Sequence, residues 1–227
     1  EIPLKGTFVM QAPAQDNKRG GYLLRAAYQD KGTAQMPAIT SEKIIALRNP
    51  VLDPELSDVS SGTQVLTTPS RSFSMVGDQS YLGYKNIDFT DIQQIEILLQ
   101  ASPRSGAIGG IVEVHLDATD GPLIGKTDQV IPKDVDFRSA IMAMQQQQQK
   151  ANNNQKKPAE VGPLTAASID FNALRKFMSV SAKLPVTNVS GTHDVYFVFK
   201  NPEAGQNKVL VQMVEIQFHN KAEIINQ

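Results

Sequence analysis

The sequence predicts an all-β protein, a sandwich or a barrel. Three observations carry this. Short runs rich in β-branched and aromatic residues recur along most of the chain. Turn-prone Gly, Asn, Asp, Ser and Pro clusters separate them every ~8–12 residues. No alternation of strands with long helical patterns appears, so a parallel doubly wound sheet is not expected.

Tyr81–Phe89 is the central strand, with Gly77-Asp78-Gln79-Ser80 reading as a turn in front of it. Its faces do not alternate cleanly, which predicts a bulge. Tyr81 and Tyr84 are expected to pack in the core or across strands. Before it, residues 1–50 form a small β extension or the end of a preceding domain. There Gly6–Gln11 and Gly21–Tyr28 are strand-like around the polar Gln15–Gly20, and Ser41–Asn49 adds a further strand. Leu52–Val65 is acidic and turn-rich, with a turn at Ser60-Ser61-Gly62. Thr67–Ser74 reads as a polar loop holding Arg71 and Phe73.

After the central strand, Ile92–Gln100 alternates Ile95, Ile97 and Leu99 against Gln94, Glu96 and Leu98. Ile111–Asp117 places Val112, Val114 and Leu116 on one face, Glu113 and His115 on the other. A turn at Asp117–Gly121 leads to Leu123–Gly125. Residues 134–163 then form an insertion. Phe137, Ala140, Ile141 and Met144 recur at helical spacing. They run into a Gln/Asn-rich tract too polar to offset its ordering entropy, read as an exposed loop. Strands resume at Ala173–Lys183, Asp194–Lys200 and Val209–His219, and residues 51–227 make the main domain.

Composition excludes several functions. Net charge is −1, so no global field favours nucleic acid. No apolar run approaches the ~18 residues of a membrane helix. The chain has no Cys, which removes disulfide and thiolate chemistry. His115, His193 and His219 are far apart, without a helical metal spacing, and are read as surface or turn residues. Glu113, Asp117 and Asp120 share a strand and its turn and are read as solvent-facing, not as the opposed carboxylates of a glycosidase. No nucleophile elbow or phosphate loop is present, so an enzyme is not expected.

Four segments resemble family 6 carbohydrate-binding modules. Tyr84-Lys85-Asn86-Ile87-Asp88-Phe89 is similar to their "YKNVDF" strand. Gly110–Gly125 is similar to their "G-x-I-x-h-x-L-D-x-x-x-G-x-L-I-G" unit, where h is apolar. Ser190–Lys200 is similar to "TG-x-h-D-L-Y-L-V-F". Leu52–Gly62 matches "AEDY…SG" more weakly, with Glu55 on the Glu. The resemblance spans Val51–His219. It implies a jelly-roll β-sandwich and non-catalytic binding of a poly- or oligosaccharide; the alternative is a docking sandwich that has lost the sugar site. Gly21–Pro50 looks like the segment preceding such modules in large secreted bacterial proteins. The resemblance thus implies an accessory module of an exported protein, secreted or periplasmic, whose partners are carbohydrate and other domains.

A Tyr and a Trp sandwich the sugar in that family, and an Asn bonds its hydroxyls. Counting back from Ser190–Lys200 puts Phe177 on a family Tyr and Leu174 on the Trp; this chain has no Trp. Phe73 is the expected substitute for the loop Tyr, Phe171 for the lost platform, and Gln212 for the Asn. The family's structural Ca²⁺ is expected at Glu55 and Asp53, with Asp58 near, although the last-strand Asp position is Val214.

Overall fold

The computed structural model describes residues 21–68, 71–134, 136, 138–143, 146, 174, 176–205 and 208–221; the side chains of 21–23, 46–47, 66–68 and 71–73 lie outside that description. Gly6–Gln11, Phe171 and the Gln/Asn-rich tract also fall outside it. The chain divides into two units, Glu1–Pro50 and Val51–Gln227.

In the first unit, β1 (Gly21–Gln29) pairs antiparallel with β2 (Thr40–Arg48), from Gly21↔Arg48 to Gln29↔Thr40. Among the described residues β1 thus pairs with the later strand. Asp30 organises the connection: its Oδ1 accepts the N–H groups of Gly32 at 2.9 Å and Ile39 at 3.0 Å. An Asp side chain that takes over backbone donors is what lets so long a loop keep one shape.

The second unit is the expected jelly-roll β-sandwich. Its strands are β3 (Val51–Leu52), β4 (Val59–Thr68), β5 (Arg71–Asp88), β6 (Ile92–Gln100), β7 (Ile111–Leu116), β8 (Leu123–Lys126), β9 (Val180–Pro185), β10 (Thr192–Lys200) and β11 (Val211–Asn220). All belong to one antiparallel sheet ordered β8-β7-β10-β5-β11-β6-β9, with β4 on β5 and β3 on β11. The sheet becomes two layers through β5. Residues 74–76 of β5 pair with β11, and residues 81–88 pair with β10. The strand changes layer across 77–80.

The expected turn at Gly77–Ser80 is thus a bend inside a continuous strand. Gln79 takes φ 58°, and Ser80 Oγ donates to the Gly77 carbonyl at 2.7 Å. Two sequence expectations are corrected here. Ser60-Ser61-Gly62 is not a turn: it lies in β4, where Gly62 at φ +66° forms the bulge opposite the bend. Thr67–Ser74 is not a loop: β4 and β5 pair out to Thr68↔Arg71. Ser and Thr read as loop formers locally, yet a neighbouring strand satisfies their backbone equally well.

The inner faces carry the predicted alternation. Ile95, Ile97 and Leu99 of β6, Val112 and Val114 of β7, and Val195, Phe197 and Phe199 of β10 are essentially inaccessible. They form one core with Tyr84, Phe89, Met213, Ile216 and Phe218. Tyr84 packs edge-on against Phe197, with centroids 6.0 Å apart, and its hydroxyl donates to the Asp53 carbonyl at 3.1 Å. The irregular alternation in the central strand comes from a register shift between His193 and Val195 opposite Asn86, which sits at φ 55°.

The insertion contains a helical segment at 138–143. Asp136 caps it, accepting the Ser139 N–H at 3.0 Å. Residues 174 and 176–177 are also helical, so the strand expected from Ala173 starts only at Val180. Leu174 and Met178 lie one helical turn apart and close a small second cluster with Ala140 and Ile141. That i, i+4 pairing favours the helix over the alternating pattern of the same residues.

Phe197 has no exposed surface. Phe197→Ala is expected to lower stability by about 3–5 kcal/mol in urea unfolding. Ser74 is fully buried and its Oγ has no hydrogen-bond partner among the described residues. Ser74→Ala is therefore expected to raise the unfolding free energy by about 1 kcal/mol.

Candidate functional site

Strand register assembles a polar row on the outer face of the β4-β5-β11-β6 half. Gln64 of β4 faces Met75 of β5, Met75 faces Gln212 of β11, and Gln212 faces Gln100 of β6. Residues directly opposite share a face and stand ~5 Å apart. Ser74 and Val76, the neighbours of Met75, point into the core instead. Phe73 pairs with Leu66, two positions from Met75 and Gln64, so its backbone position belongs to the same outer face. The structure therefore brings the positions of Phe73 and Gln212 onto one surface. The backbone at Phe73 lies in a strand, not in a loop.

At the bend in β5 this surface runs into an open cleft of about 480 Å³. One wall is Gly62, Gln64, Met75, Val76, Gly77 and Asp78; the other is Ala204, Gly205, Lys208 and Val209 from the β10–β11 connection. The two walls are tied by Leu210 N–H to Val76 O at 2.8 Å, and by Asn201 N–H to Asp78 Oδ1 at 2.8 Å. At Gly77 the walls stand at contact distance: a Cβ there would sit 3.5 Å from the Lys208 carbonyl, an ordinary van der Waals contact.

Phe177 is more than a third exposed, next to Lys176, which pairs with Glu215 of β11 at 2.6 Å. It does not line the cleft. Leu174 is 1% exposed in the helical cluster, so no flat platform is presented at that position. Sequence reasoning missed Gln64, Met75, Asp78 and Lys208 as cleft residues. The sequence signal available was the pair of small-residue runs, Gly77-Asp78 and Ala204-Gly205, in segments that only the strand order brings together.

The family calcium fits poorly here. Asp53 Oδ1 is occupied as the cap of the 3-10 turn Pro54–Leu56, accepting the Glu55 N–H at 3.2 Å. Val214, in the third position, offers no side-chain oxygen and is buried. Among the described residues no three His, Cys, Asp or Glu side chains are placed to hold a metal. No role for an ion is derived.

Several other charged groups are paired in ways that build structure. Two histidines expected at the surface are buried instead. His115 Nε2 lies 3.2 Å from Glu113, with Nδ1 on the Gly121 carbonyl at 2.8 Å. His219 Nε2 lies 3.1 Å from Glu96. Glu113 is likewise not solvent-facing; it binds Lys200 at 2.6 Å. Asp117 accepts from His193 at 3.0 Å. Each of these carboxylates serves a neighbour, and none faces another across the cleft.

The Lys200 hydrogen bond, assisted by His115 against the cost of burial, holds the Glu113 carboxyl below its ordinary 4.5. A carboxyl depressed by folding contributes stability that is complete above its unfolded value. That contribution fades as pH falls from about 4.5 through the folded value. Lys200→Met is expected to lower stability at pH 7 and to flatten the fall in stability below pH ~4.5. Urea midpoints measured across pH 3–7 check this; an unchanged acid limb would contradict it.

No protein-family model matches the chain, and no curated protein matches it. Solved structures do. A family 6 carbohydrate-binding module from Clostridium cellulolyticum, in complex with xylose, is 21% identical with a TM-score of 0.48; the match covers 75% of this chain and 96% of that one. A β-1,3-glucan-binding module of the same family from Bacillus halodurans is 18% identical with a TM-score of 0.47, covering 74% and 94%. A third, from Clostridium stercorarium in complex with cellobiose, is 15% identical with a TM-score of 0.46, covering 75% and 93%.

Proposed function

We propose that residues 51–227 are a non-catalytic carbohydrate-binding domain, an accessory part of a larger exported protein. A poly- or oligosaccharide lies along the outer face and into the cleft. The observation that carries this is the register that puts Gln64, Met75, Gln212 and Gln100 side by side, with the Phe73 position on the same face. A sugar presents an apolar C–H face and a rim of hydroxyls. It needs an apolar platform next to groups that both donate and accept, and three primary amides around a thioether meet that need. The ordered motifs support the same reading, because they fall on β5, β7–β8 and β10, which are neighbours in one layer.

A second reading is a docking sandwich whose sugar site is gone. Leu174 favours it, since the residue in the platform position is buried in a helical cluster.

An open face buries little of a ligand, so affinities of order 10 μM to 1 mM are expected. Gln212→Ala and Gln64→Ala should each weaken binding about 2- to 12-fold, the range of one net hydrogen bond. Phe73→Ala should cost about tenfold. Calorimetry against β-1,4- and β-1,3-linked gluco-, xylo- and manno-oligosaccharides tests this. The sugar reading falls, and the docking reading stands, if the whole panel is inert.

A further inference from the structure

The charges in the cleft bear on which sugars it suits; this inference rests on the carbohydrate reading above. Asp78 and Lys208 are the charged residues among the described ones that line it. Asp78 is fixed by the Asn201 N–H, so its negative charge stays with the β5 wall. Lys208, on the opposite wall, is exposed and has no hydrogen-bond or ion-pair partner among the described residues. Among the described residues no atom beyond its chain neighbours lies within 4 Å of the position a Cβ would take at Gly205.

A lysine in the wall of a sugar-sized cleft, without a partner among the described residues, brings a charge that hydroxyl recognition does not need. Toward a hydroxymethyl group it makes one neutral-acceptor hydrogen bond. Toward a carboxylate in the same place the attraction between opposite charges is added to that bond. Lysine acts as a point charge without a fork, which suits a single carboxylate oxygen on a ring. Asp78 repels an anion at its own end, so the ligand's carboxylate is directed to the Lys208 wall. We propose that Lys208 makes this cleft prefer uronic-acid sugars to their neutral counterparts.

Matched trisaccharides that differ only in CH₂OH against COO⁻ provide the test: β-1,4-glucotriose against β-1,4-triglucuronate, and β-1,4-mannotriose against β-1,4-trimannuronate. Calorimetry on the full chain at low salt should show the acid form of at least one pair bound about five- to tenfold tighter. In Lys208→Gln that ratio should fall to near one, whatever happens to the neutral sugar. In 1 M NaCl, where the Debye length is about 3 Å, the wild-type ratio should also shrink toward one. Equal or weaker binding of the acid forms overturns the proposal, as does a preference that survives Lys208→Gln. Neutral binding without preference removes this inference alone; no binding of any of the four removes the carbohydrate reading with it.

Discussion

The sandwich depends on how one strand is hydrogen-bonded. β5 is eighteen residues long and serves β11 with its first part and β10 with its second. A straight strand of that length would leave both neighbours in one open sheet with an uncovered apolar face. The bend at 77–80, accommodated by the Gly62 bulge in β4, turns the continuous ladder over on itself. The inner residues of β6 and β11 can then meet those of β7 and β10, and Phe197, Phe199 and Met213 reach complete burial. Backbone pairing directs the burial here, and the burial in turn holds the bend.

The polar interactions follow the same division. On the outer faces, charged residues sit over a sheet that gives them little solvent, and they answer with short mutual contacts such as Glu113 with Lys200 and Glu96 with His219. Isolated burial of any of these charges would be costly, and pairing offsets most of that cost. Between these networks, the Gln64–Gln100 row carries amides instead of charges. Amides remain free to exchange water for a ligand, which carboxylates already serving a lysine or histidine cannot do.

Strands with one buried face were legible in the sequence, because period-two alternation records burial directly. Ile92–Gln100 and the Val112/Val114/Leu116 strand are examples. The β4–β5 hairpin was not. Its Ser, Thr and Gln residues carry no apolar period, and its pairing is long-range information. The segment around Leu174 misled in the other direction, since its alternation is accidental and a four-residue contact with Met178 decides it. For the site, Gln212 could be found by counting from Phe218. Asp78 and Lys208 could not, because they are 130 residues apart and are brought together by the Val76–Leu210 and Asp78–Asn201 contacts.

The bend has an evolutionary corollary. The β5 wall of the cleft is also the fold's crease, so Gly62 and Asp78 answer to architecture before they answer to any ligand. On the facing wall Ala204 packs on the core, while Gly205 and Lys208 carry no such duty. Descendants of this chain that diversify their ligands should accumulate changes almost wholly on that loop, with the crease held nearly invariant beside it.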